Sequence, residues 1–61
     1  MPKNYLTEVQ VSDLTGRKPA TLRNDRHYKQ GIPYIKAGRS VRYDYDEVIA
    51  WMEARRVRTT D

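Results

Sequence analysis

Four bursts of apolar residues run along this 61-residue chain, parted by glycines, prolines and charged stretches. In the first, Leu6, Val11 and Leu14 predict a short helix that opens at Thr7. Thr7 is a hydroxyl cap, and Gln10 three residues on can return the bond. Leu6 before the cap can close on Val11 as a hydrophobic staple. Glu8 in the first turn favours the helix dipole. Val11 and Leu14 are expected on the core face, with Val9 in solvent. Gly16 is expected to end the helix, because glycine takes left-handed backbone at little cost.

The second burst is the weakest. From Pro19 to Tyr28 only Leu22 is a strong core residue, with Ala20 and Thr21 small enough to pack near the turn. Pro19 suits the first position of a helix, where its missing N–H has no partner to lose. A helix over 19–28 with one buried side and many long polar residues has most of its surface left for a partner. Lys29-Gln30-Gly31 should end it, and Ile32-Pro33 then forces extended chain. Helix, glycine turn, basic polar helix is the order of a helix-turn-helix.

Alternation follows. Tyr34–Lys36 and Val41–Tyr43 read as two short strands, joined by 37–40 with Gly38 available for a tight hairpin. Arg42 should point away from Val41 and Tyr43. Ile35, Val41 or Tyr43 is available for burial, and Arg39 for the hairpin tip. The last helix starts at Asp44, a capping residue; Glu47 three residues on can complete a second capping box, and Asp46 also favours the dipole. Val48, Trp51 and Met52 follow at helical spacing and should face the core; Tyr45 and Ile49 widen that stripe, as ordinary packing or as a patch for a partner. Arg55, Arg56 and Arg58 suit the negative end. Residues 59–61 are expected to fray. One domain over 1–61, with its core in about 5–56, fits this length.

Charge sharpens the picture. The net charge is +4, but residues 17–42 carry eight Lys and Arg against Asp25 alone, while the remainder carries four against seven carboxylates. A basic middle between acidic or mixed ends suggests one face aimed at a polyanion. The chain has no cysteine and one histidine, so a disulfide is impossible and a metal site is not expected. No apolar run approaches a membrane span, and no signal-peptide core follows Met1-Pro2-Lys3-Asn4. No cofactor or small-molecule substrate is expected. Nor is catalysis: Ser12 and Ser40 have no evident base, and helix capping explains the carboxylates.

The motifs, in order, are Leu6-Thr7, Val11, Leu14, Gly16 and Thr21-Leu22-Arg23, then Gly31, Pro33-Tyr34-Ile35-Lys36, Gly38-Arg39 and Val41-Arg42-Tyr43, and last Asp46, Val48 and Ala50-Trp51-Met52. Together they resemble the excisionase/AlpA-type family, small MerR-like winged helix-turn-helix DNA-binding proteins of phages, prophages and integrating elements. The match runs over about residues 5–53. The wing at 33–43 and the Trp51 helix are its most specific parts. The chain departs from the family at Lys18-Pro19, where a serine cap is usual, and at Asn24-Asp25, where an aromatic pair is common. The fold class implied is α+β, mostly helical: helix-turn-helix, two-stranded wing, C-terminal helix.

The resemblance implies a recognition helix in the major groove and a wing on the neighbouring minor groove or backbone. Arg23 and Arg26 suit guanine, and Asn24 suits adenine. Asp25 can accept from cytosine or orient Arg23 or Arg26, and the orienting role is expected, because a carboxylate beside phosphates costs free energy. Lys18, Ala20, Thr21 and His27 complete the helix surface, with Thr21 and the first N–H groups suited to a phosphate. Arg17, Lys29 and Lys36 are expected on phosphates. Arg39, Ser40 and Arg42 form the wing contacts, with Arg39 suited to a narrow minor groove. Tyr34 and Tyr43 read as hairpin packing. The function implied is DNA recombination, as an excisionase binding and bending duplex near an attachment site. Its partners would be double-stranded DNA, an integrase, and further copies bound cooperatively, in the cytoplasm of a bacterial or phage-infected cell. Transcription regulation by the same contacts is the alternative. A protein-interaction adaptor with an incidental basic face is another.

Overall fold

A computed structural model describes residues 4–59. The fraying expected at residues 60 and 61, and the opening three residues, lie outside that range. The element order is β1 (Tyr5–Leu6), α1 (Glu8–Thr15), α2 (Pro19–His27), β2 (Ile35–Ala37), β3 (Ser40–Asp44) and α3 (Tyr45–Ala54). The three strands make an antiparallel sheet in the order β1-β3-β2, and the whole is an α+β, mostly helical arrangement of the winged-helix type.

Local chemistry explains the helix ends. Gln10 N–H donates to Thr7 Oγ1 at 3.3 Å and Thr7 N–H donates to Gln10 Oε1 at 2.8 Å, the expected reciprocal cap. Gly16 closes α1 at φ +78. Pro19 opens α2, and Lys18 before it makes no side-chain cap. Asp44 caps α3 by accepting from Asp46 N–H at 3.0 Å.

The core is Leu6, Val11, Leu22, Ile32, Tyr43 and Val48, with Tyr34, Val41 and Trp51 packed against it. Ile32 joins it from the loop after α2, which the sequence did not single out. Leu14 does not: it is 44% exposed. At 3.6 residues per turn the fourth residue after Val11 lies nearer its face than the third. Thr15 therefore takes the inner place, and its hydroxyl donates to Val11 O at 2.8 Å. Met52 is likewise partly exposed, at the rim of the stripe that Val48 centres.

The hairpin extends one residue further toward the turn than expected, over 35–37 and 40–44, and leaves Tyr34 outside β2. Its two-residue link, Gly38-Arg39, has φ +62 at Gly38, which suits a type II′ turn. Ile35 pairs with Arg42, and cross-strand partners share a face, so both side chains stand outside. Tyr43 takes the buried place instead. β1 was not expected: its two residues pair Tyr5 with Asp44 and Leu6 with Tyr43. Two residues carry no readable alternation.

Candidate nucleic-acid interface

Helical spacing divides α2 into two faces. Leu22, Asp25 and Arg26 turn inward, as positions i, i+3 and i+4 must. Ala20, Arg23, Asn24 and His27 form the exposed stripe, with Thr21 beside it. The hairpin stands alongside. Between them lies an open cleft of about 490 Å³, lined by Arg23, Arg26, His27 and Tyr34 and by Lys36, Gly38, Arg39 and Val41 of the wing. Helix and ribbon thus share one basic surface, and four of the eight lining residues are Lys or Arg.

Glu8 anchors the helix side of this cleft. Its carboxylate accepts from Arg23 Nε at 3.1 Å and 3.2 Å, from Arg23 Nη2 at 3.1 Å and from Arg26 Nη2 at 3.2 Å. Arg26 Nη1 also donates to Tyr43 Oη at 2.7 Å, and its guanidinium lies 6.0 Å from the Tyr34 ring centre. Both terminal nitrogens of Arg26 are therefore engaged within the protein, and its side chain is only 17% exposed, against 66% for Arg23. Arg23 is the arginine of α2 that reaches outward; Arg26 forms the floor.

The charges follow this geometry. Burial pushes the Glu8 carboxyl up, but the hydrogen bonds and charges of Arg23 and Arg26 outweigh it and hold the group below its ordinary 4.5. Burial likewise works against charge on Arg26, and the bonds to Tyr43 and Glu8 outweigh that, so its affinity for the proton rises.

Asp25 does not orient Arg23 or Arg26. It is buried and accepts from Arg17 Nη2 at 2.6 Å. It lies on the α2 face opposite the exposed stripe, where the turn before the helix brings Arg17. Arg17 is accordingly half-buried, with its guanidinium 5.3 Å from the Trp51 ring centre. Behind Asp25 the chain passes so closely that a Cβ on Gly31 would stand 2.7 Å from its Oδ2, and Gly31 has φ +82. Lys29, left-handed at φ +54, lines a separate hollow with residues 30–34.

The remaining expected residues are exposed. Lys18 stands at the start of α2, and Ser40 begins β3. Arg42 lies on the outer face of β3, where Nη1 donates to Val41 O at 2.8 Å, and does not line the cleft. Three lining residues, Tyr34, Gly38 and Val41, are not among the contacts that the sequence points to. Tyr34 reads as hairpin packing, Val41 as one of three candidates for burial and Gly38 as the turn; Tyr34 and Val41 do pack against the core, and each also has a side on the cleft. The sequence points to Glu8 for the helix dipole alone, because its partners lie 15 and 18 residues away.

Among the described residues no cluster of three or more His, Cys, Asp or Glu could hold a metal, and no helix is long and apolar enough to cross a membrane. No family profile, curated protein or solved structure matches the chain.

Proposed function

We propose that this chain is a sequence-specific DNA-binding protein that acts as an excisionase, an accessory factor of site-specific recombination. The observation that carries the DNA reading is the cleft in which Arg23 and His27 of α2 face Lys36 and Arg39 of the wing. α2 enters the major groove with Ala20, Arg23, Asn24 and His27 leading. Arg39 at the wing tip reaches the adjacent minor groove, and Lys18, Lys36 and the first turn of α2 hold phosphates. The role in excision rests on the family resemblance of the wing and the Trp51 helix. In that role the protein bends duplex near an attachment site, binds in several copies and recruits an integrase.

A chain of this size covers only part of a standard specific interface, so one copy binds modestly and several bind well. The test is a pair of substitutions on a selected site. Arg23→Ala should cost about 1–3 kcal/mol and relax selectivity at one base pair, whereas Lys36→Ala should weaken all sequences alike and lower the salt slope by about 1. Equal small losses from both would remove the groove assignment. Circular-permutation gel shifts examine the excision role; a straight complex would count against it.

A further inference from the structure

One carboxylate interrupts the basic surface, and its placement has a consequence for how that surface reads DNA. Arg23 has five N–H donors in a planar fork. Glu8 takes the Nε side, through contacts at 3.1 Å and 3.2 Å, and reaches Nη2 at 3.1 Å. That leaves the Nη1–Nη2 edge directed away from Glu8. This is the edge that fits N7 and O6 of guanine as a bidentate pair. Glu8 is itself fixed: it sits in the first turn of α1, directly after the Thr7 cap, and its carboxyl is also held by Arg26, which Tyr43 holds in turn. A long exposed side chain is thus supported from a rigid base, and less rotamer freedom is lost when it binds.

The same contact subtracts charge. A free arginine follows phosphates wherever they lie, whereas one already paired with a carboxylate gains less from them. We propose that Glu8 is a positioning residue that makes Arg23 a reader of guanine instead of a general phosphate contact. This rests on the DNA-binding reading given above. Glu8 acts through Arg23 and makes no contact with DNA itself. Specificity here is obtained by weakening binding to every other sequence as much as by strengthening one contact.

The experiment is selection from a random duplex library with the wild type, Glu8→Gln, Glu8→Asp and Arg23→Ala, together with salt titrations on an unselected duplex. The wild type should enrich a site with one guanine that Arg23→Ala no longer requires. Glu8→Gln keeps the length and removes the charge. It should lose preference for that same guanine, bind unselected duplex up to about tenfold tighter at low salt, and steepen the salt slope by about 0.9, one added phosphate contact. Glu8→Asp keeps the charge but shortens the reach; it should relax the guanine preference and leave the slope as in the wild type. Full preference retained in both Glu8 variants overturns the role of Glu8 and leaves the DNA reading intact. A wild type that enriches no sequence overturns both. The contact has its own readout without DNA: the Arg23 Nε–Hε cross-peak should persist in the wild-type NMR spectrum and fade in Glu8→Gln, and equal persistence in the two overturns the clamp.

Discussion

The helix that faces the cleft and the helix that closes the chain are held in place by different forces. α3 presents Val48, wholly buried, with Ile49 and Trp51 half-buried beside it, an ordinary apolar stripe. α2 has Leu22 as its one buried apolar residue. Its other attachments are polar: Asp25 to Arg17 behind the helix, and Arg23 and Arg26 to Glu8 at its side. A helix that leaves most of its surface exposed cannot also carry a wide apolar stripe. Here ion pairs supply the orientation that such a stripe would have supplied.

That contrast can be broken at its strongest point first. Leu22→Ala should cost about 2–5 kcal/mol, enough to unfold a domain of this size, and urea denaturation followed by circular dichroism would show it. A loss under 1 kcal/mol would mean that α2 does not depend on its single apolar anchor. Gly31→Ala comes next. It forces a left-handed backbone on a residue with a Cβ and drives that Cβ into Asp25, at a cost of about 1–3 kcal/mol by the same assay. Gly38→Ala, with open space around it, should cost less.

Acid separates the two helices. The folded-state value of Glu8 lies below 4.5, so its pairing contributes stability at neutral pH and loses it as the pH falls below 4.5 through the folded value. Amide exchange should therefore speed up in α2 and at the start of α1 before it does in α3, and Glu8→Gln should flatten that part of the pH dependence. Uniform loosening of all three helices would contradict the division. The smallest effect belongs to α3: Arg55, 3.7 Å over the Trp51 ring, should cost only about 0.5–1 kcal/mol on replacement by alanine.

How much of this was readable in the sequence depends on range. The Thr7–Gln10 cap, Pro19, Gly16, Gly38 and Asp44 mark element ends through chemistry that spans a few residues, and each stands where the sequence puts it. The basic helix and the wing were readable too, as a run of charge and an alternation. What was not readable depends on how elements cross. Glu8 meets Arg23 and Arg26, and Arg17 meets Asp25, only once α1 and α2 have packed. Whether Arg26 faces in or out is settled by a turn of about 100° per residue from Leu22, a phase that a helix with one apolar residue leaves poorly defined. The same uncertainty of phase puts Leu14 on the core face in sequence and leaves Ile35, Val41 and Tyr43 as equal candidates for burial, of which the strand register buries Tyr43.

The most direct test is an NMR titration of the wild-type chain with duplex DNA at low salt. Amide and arginine side-chain resonances of residues 20–27 and of residues 36–39 should move together, with the exposed side of α3 unmoved. Shifts confined to α3 and the outer side of α1, or no shifts at all, would contradict the shared surface of helix and wing.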